Sequence, residues 1–279
     1  MAPDRRRRAT RWALAFSLCF GAVTAAGDAG PRPPLPLIAA HRGGALLWPE
    51  NSLTAFRGAL ALGADLLELD VHLTRDGEVV VIHDPTLDRT TTGRGAVGDQ
   101  TWAELVTVSL MQSQGERIPR LREVLDLARP SPAGLLVEIK AGVNRARYPG
   151  IEAKVLERLA ETGLTARATV MAFEWDTLER LRRLSASVRL TGLLSRRRAE
   201  EIGGVRVAVE QLAALRANDL GIERTLLSAD TVAAAHAAGL TLGVWTVNEP
   251  EEIRQALAAG VDYVTTDRPD LALKLRTER

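Results

Sequence analysis

A single (β/α)8 barrel of the TIM-like kind, with a small insertion after its third strand, is the fold that three observations predict. The chain has 279 residues, 46% of them hydrophobic and 25% charged. That suits one barrel of about 250 residues once a leader is removed. Short apolar runs alternate with longer helical stretches, the rhythm of βα units around a parallel sheet. Eight of those runs qualify as strands, and eight parallel strands are what such a barrel closes on.

The chain begins with a different pattern. Arg5 to Arg8 and Arg11 form a basic region, Trp12 to Val23 is mostly apolar, and Ala22-Val23-Thr24-Ala25-Ala26 supplies small residues for cleavage. This layout predicts a signal peptide over 1–26 and an exported, periplasmic or extracellular, mature protein. An uncleaved anchor or a basic tail is the competing reading, although the apolar run is short for a span of about 20 residues. The arginine run also permits twin-arginine export. Cys19 is the sole cysteine and lies in this leader, so the mature chain is expected to have no disulfide and no thiol chemistry. Pro31, Pro33, Pro34 and Pro36 make 27–36 a stiff linker into a barrel domain over 37–279.

The strand candidates are 37–40, 65–71, 79–83, 135–139, 168–172, 189–194, 241–246 and 262–265. Helices are expected over 52–62, 121–129, 151–162, 175–184, 206–217, 229–238 and 249–259. The first helix starts after Asn51-Ser52 and stops near Gly63, good cap residues at each end. Glu249-Pro250-Glu251-Glu252 puts proline and acids in a first turn, where both are favoured. Residues 84–117 break the rhythm. They are polar and Gly-punctuated at first, and an insertion after a barrel strand sits on the face where chemistry occurs. The net charge of +1 lacks the basic footprint of a nucleic-acid partner.

The densest chemistry lies between Leu37 and Asp84. Glu68 and Asp70 stand two apart in the run Leu66 to Val71, so both point to one face of a strand. Carboxylates in an apolar strand are costly unless paired or metal-bound. Glu138 and Lys140 repeat the spacing at the end of Leu135-Leu136-Val137. The three acids form an all-oxygen set that suits Mg2+ or Ca2+. A buried salt-bridge cluster with Lys140, Arg42 or Arg89 is the bland alternative. His41 and His83 each follow an apolar run and are candidates for acid–base work near neutral pH. His72 shares the face of Glu68 and Asp70, as a further ligand or as filler. His236 lies in an alanine-rich helix and reads as structural. Asp267 and Asp270 read as a loop-and-cap arrangement after the last strand.

The segments His41-Arg42-Gly43, Pro49-Glu50-Asn51-Ser52, Glu68-x-Asp70 and His83-Asp84-Pro85-x-Leu87-Asp88-Arg89-Thr90-Thr91 resemble the glycerophosphodiester phosphodiesterase family. Ile118-Pro119-x-Leu121-x-Glu123-Val124-Leu125, Glu138-Ile139-Lys140, Trp245-Thr246-Val247-Asn248 and Thr266-Asp267-x-Pro269-Asp270 extend the likeness in family order over the mature chain. The resemblance implies a (β/α)8 barrel that cleaves glycerophosphodiesters to sn-glycerol 3-phosphate and an alcohol. It implies a divalent ion, Ca2+ or Mg2+, held by Glu68, Asp70 and Glu138, with His41 and His83 as the acid–base pair. Arg42 and Lys140 match phosphate-binding positions, and Glu50 matches a position near the site that implies contact with metal or glycerol hydroxyls. Trp245 walls the substrate pocket or simply packs, and Phe173 is a weaker lining candidate. The expected partner is a small glycerophosphodiester; membrane contact stays open without being indicated. Two rivals stay open: a phosphodiesterase of lysophospholipids or sphingolipids, and an inactive binding barrel.

Overall fold

The computed structural model describes residues 35–278. The signal peptide expected over 1–26, and all of the linker except Leu35 and Pro36, lie outside these residues. Nine strands form one sheet: β1 (Leu37–Ala40), β2 (Leu66–Leu73), β3 (Val79–Val81), β4 (Gly134–Ile139), β5 (Ala168–Ala172), β6 (Arg189–Leu194), β7 (Asp219–Glu223), β8 (Thr241–Trp245) and β9 (Tyr263–Thr266). All except β3 pair in parallel, in the order β1-β9-β8-β7-β6-β5-β4-β2, and a β1–β2 pairing closes the barrel. The helices are α1 (Leu53–Leu62), α2 (Trp102–Leu105), α3 (Leu121–Ala128), α4 (Ile151–Glu161), α5 (Trp175–Leu184), α6 (Arg196–Ile202), α7 (Val205–Ala214), α8 (Ala229–Ala237), α9 (Pro250–Ala258) and α10 (Pro269–Thr277).

The expected count of eight is right, but its membership needs two corrections. The run at 79–83 is not a barrel strand. Gly77, at φ +86°, turns the chain after Asp76, and β3 folds back antiparallel with Val71 opposite Val81 and Leu73 opposite Val79. Asp-Gly is a strong hairpin signal. β1 allows this pairing because it ends at Ala40 opposite Leu67, which leaves the far half of β2 without a barrel neighbour on that side. The seventh barrel strand is instead β7, Asp-Leu-Gly-Ile-Glu. Its central glycine and acidic ends hide it from a search for apolar runs, and the helix expected over 206–217 stops at Ala214 to make room. The short helices α2 and α6 and the closing helix α10 were also not anticipated.

Two apolar layers hold the barrel. Outward-facing residues of the strands, such as Leu67, Leu69, Val137, Val170, Leu220 and Val264, pack under the helices. Inside, Ala39, Leu136, Met171, Leu193 and Tyr263 fill the lumen. The excursion from β3 to α3 carries its own small core of Val80, Ile82, Leu87, Val97, Leu105, Leu110 and Ile118. Each such side chain stabilises by about 1.5–3 kcal/mol on full burial. This loop is therefore a packed lobe seated on the C-terminal face. Among the described residues, no helix is long and apolar enough to cross a membrane.

Candidate active site

Glu68, Asp70 and Glu138 meet because of strand register. β2 and β4 are parallel neighbours with Asp70 directly opposite Glu138, and parallel neighbours in register share a face. All three acids are buried, and oxygens of all three lie within 4.8 Å of one another. Lys140 Nζ lies 2.7 Å from Glu138 and 3.5 Å from Asp70, while Arg42 Nε is 3.5 Å from Asp70. The Arg42 backbone N–H donates to Glu68 at 2.7 Å, and the Asn51 amide donates to Asp70 at 2.8 Å. Arg42 adopts φ +51° in the tight turn after β1, with Gly43 next to it. A Cβ on Gly43 would sit 2.7 Å from that of Ala55, so α1 presses directly against this turn.

Crowding of like charge shows in the acidities. Burial, with Asp70 close by, pushes the Glu68 carboxyl up to about 8. Burial likewise raises Glu138, against the pull of Lys140. Burial works against the charge of Asp70 too, yet Lys140, His83 and Arg42 hold it below the usual carboxylate range. Asp70 Oδ1 is buried without a hydrogen-bond partner among the described residues. Three converging carboxylates, one with a buried oxygen that accepts no hydrogen bond, fit a hard divalent cation. His72 does not join them. Its Nε2–H donates to the His83 carbonyl at 3.0 Å, and its Nδ1 accepts from the Tyr148 hydroxyl at 2.9 Å. Burial lowers its pKa to about 4, so it is a neutral brace beneath His83.

His41 and His83 both face the same cavity, and each is held at Nδ1 by a carboxylate. Nδ1 of His41 donates to Asp267 at 2.6 Å, and Nδ1 of His83 donates to Asp84 at 2.7 Å. A carboxylate can only accept here, so Nε2 is the nitrogen left for other partners. Burial opposes protonation of His41, but Glu68 and Asp267 raise its pKa. Burial lowers the pKa of His83, with Lys140 and Arg42 adding to the effect. Asp267 therefore corrects its reading as a loop-and-cap residue. Asp270 does behave locally, pairing with Arg268 at 2.8 Å.

The cavity holds about 130 Å³ and has two chemically distinct walls. His41, Arg42, Glu68, His83, Glu138 and Lys140 make one, and Met171, Phe173, Leu193, Trp245 and Tyr263 make the other. Trp245 and Phe173 meet edge to face at 5.4 Å, and the Trp245 indole N–H is buried without a partner among the described residues. Glu50 stands behind Arg42, 3.1 Å from it. Both its oxygens receive Arg89, at 2.8 and 2.9 Å. Arg89 also grips Asp84, at 2.6 Å, and this hydrogen bond holds the Asp84 carboxyl at about 2. A continuous chain of charges thus runs from Arg42 through Glu50, Arg89 and Asp84 to His83. Residues that sequence reasoning missed are Asp84, Asn51 and Asp267, together with Met171, Leu193 and Tyr263 of the wall. Asn51, Asp84 and Asp267 stand inside quoted motifs; the wall residues carry no signal beyond their place in strands.

A model of the glycerophosphoryl diester phosphodiesterase family matches residues 41–271. A glycerophosphodiester phosphodiesterase from Caldanaerobacter subterraneus subsp. tengcongensis is 34% identical, covering 86% of this chain and 97% of that protein. Another from Bacillus altitudinis is 35% identical over 86% of this chain and 98% of its own. Among solved structures, a glycerophosphodiester phosphodiesterase from Agrobacterium tumefaciens superposes with a TM-score of 0.72 at 28% identity, covering 85% and 99%. An Oleispira antarctica phosphodiesterase in complex with the product sn-glycerol-3-phosphate gives 0.75 at 25% identity, covering 88% and 98%.

Proposed function

Because this chain belongs to the glycerophosphoryl diester phosphodiesterase family and is a glycerophosphodiester phosphodiesterase, we propose that it uses a divalent cation and two histidines to cleave its diester. The substrates inferred are glycerophosphocholine and glycerophosphoethanolamine, giving sn-glycerol 3-phosphate and the free alcohol. The solved relative that carries sn-glycerol-3-phosphate as its product supports that choice. The observation that carries the reading is the meeting of the buried carboxylate trio with two Nδ1-anchored histidines around one cavity.

Glu68, Asp70 and Glu138 would hold the cation, Ca2+ or Mg2+. A bound divalent ion supplies charge neutralisation at a phosphoryl oxygen. Arg42 and Lys140 stand beside the trio, and both are kept cationic by the carboxylates around them, against the cost of burial. They bind the non-bridging phosphoryl oxygens, Arg42 as a fork and Lys140 as a point charge. Removing one preorganised donor aimed at developing charge costs about 2.7–4 kcal/mol in an oxyanion hole, the scale expected here. His41 and His83 approach with Nε2 and move the protons, one activating the attacking oxygen and the other serving the departing alkoxide. The apolar wall of Phe173, Trp245 and Tyr263 excludes water from the organic side of the diester.

The mature chain is inferred to act outside the cytoplasm, following the leader at 1–26. Fractionation of cells expressing the tagged full chain checks this, and retention in the cytoplasm would overturn it. The activity test is release of sn-glycerol 3-phosphate from both substrates, with EDTA and then with Ca2+ or Mg2+ restored. Chelation is expected to stop release and an added ion to restore it. Release that survives exhaustive chelation, or no release with any ion, would overturn the reading.

A further inference from the structure

Asp267 holds His41, and its side chain and that of Asn248 are spent on one another, on His41 and on the Thr266 hydroxyl. Asp267 Oδ1 accepts from His41 Nδ1 at 2.6 Å, and Oδ2 accepts from the Asn248 amide at 2.6 Å. The Asn248 oxygen in turn accepts the Asp267 backbone N–H at 2.9 Å and the Thr266 hydroxyl at 3.2 Å. This arrangement has one consistent orientation. Flipping the Asn248 amide would set its oxygen against the Asp267 carboxylate and its NH2 against the Asp267 backbone N–H.

We propose that Asp267, braced by Asn248, is the positioning residue that fixes His41 as the Nδ1–H tautomer with Nε2 presented to the cavity. The inference rests on the assignment of His41 to proton transfer made above. Barrel closure supplies the geometry. β1 and β9 pair with Ala40 opposite Thr266, so the residues that follow, His41 and Asp267, emerge side by side from the first and last strands. His41 sits in a one-turn 3-10 helix with Arg42 at φ +51°, beyond the strand pairing that would otherwise restrain it. Its ring needs an external hold, and Asp267 provides the one at Nδ1.

A purely structural role fits less well. Asp267 does not cap α10, whose preceding residue is Arg268 with no side-chain capping bond. Nor does it line the cavity or belong to the carboxylate trio. The position also demands an acid. Both groups facing the side chain, His41 Nδ1–H and the Asn248 amide, are donors, so an asparagine at 267 would satisfy only one of them. With the proton on Nδ1 fixed, Nε2 is the atom that gains or gives the proton exchanged with a substrate or water oxygen, and the carboxylate stays ionised throughout.

Asp267→Asn, an isosteric change, tests this alongside Asp267→Ala. The chain holds four histidines, few enough for their ring nitrogens to be assigned by 15N NMR. The wild type is expected to show His41 as the Nδ1–H tautomer, and both variants to lose that signature. In both, kcat should fall about 100-fold while KM and divalent-ion affinity hold. In a His41→Ala background, Asp267→Asn should cause no further loss. An unchanged tautomer with wild-type kcat would overturn the proposal, as would losses that multiply in the double variant. Full turnover by His41→Ala would instead overturn the assignment of His41, whatever the tautomer shows.

Discussion

The two histidine arms of the site are built from different material. His41 is held by the barrel: it leaves β1, its partner Asp267 leaves β9, and the brace Asn248 follows β8. His83 belongs to the excursion: Asp84 is its neighbour in sequence, and Arg89 ties that pair to Glu50 in the β1–α1 loop. From β2, His72, itself bonded to Tyr148, reaches the His83 carbonyl. Strand ends deliver groups at fixed spacing, whereas a loop must carry its own core to do so. The cluster of Leu87, Leu105, Leu110 and Ile118 is what makes the His83 arm as definite as the His41 arm. Precision on a loop depends on its packing.

The largest effect should come from the histidines themselves. His41→Ala and His83→Ala should each lower kcat by about 10²–10⁴-fold, with divalent-ion binding by calorimetry unchanged. Turnover near wild type in either would remove that residue from the mechanism. Next, Leu105→Ala should cost about 2–5 kcal/mol within the lobe and lower activity through His83 alone. Amide exchange should quicken over 84–117 while β5 to β9 stay protected; uniform loosening would mean that the lobe and the barrel form one cooperative unit. Arg89→Ala comes third. It leaves His41 untouched and frees Asp84, so kcat should fall about 10-fold. A change confined to KM would show that Arg89 serves binding rather than the His83 arm.

The smallest effect is electrostatic. The Arg117 hydrogen bond at 2.6 Å holds the Glu123 carboxyl at about 2 and ties the lobe to α3. A carboxyl whose folded pKa is depressed stabilises above its unfolded pKa of about 4.3 and loses that stabilisation as pH falls toward 2. The pair is partly exposed, so on the order of 1 kcal/mol is expected. Denaturant midpoints of wild type and Glu123→Gln should differ at pH 6 and converge near pH 2. A gap that persists in acid would assign the effect to packing instead.

Much of this was legible because one strand period exposes it. Glu68 with Asp70 and Glu138 with Lys140 interrupt apolar runs at spacing two, and no fold knowledge is needed to see that they share faces. What escaped is of two kinds. β7 is short, and Gly221 replaces the residue that would have completed its apolar core. The run 79–83 itself reads like a barrel strand, and the Asp76-Gly77 turn before it is the one sequence signal that marks it as a hairpin strand. Asp267 lies 226 residues from the histidine that it serves, and only closure of the barrel brings the two together. Local pattern reports which residues share a face, while partners across the closure belong to topology.

The central claim is that the buried carboxylate trio holds a divalent cation on which turnover depends. The most direct test is calorimetric titration of the metal-stripped protein and its Asp70→Asn variant with Ca2+ and Mg2+, with release of sn-glycerol 3-phosphate followed at each point. The account predicts saturable binding of at least one of these ions to the wild type, activity that rises in step with occupancy, and loss of both in the variant. Equal binding by the variant, or full activity of the wild type before any ion is added, would contradict it.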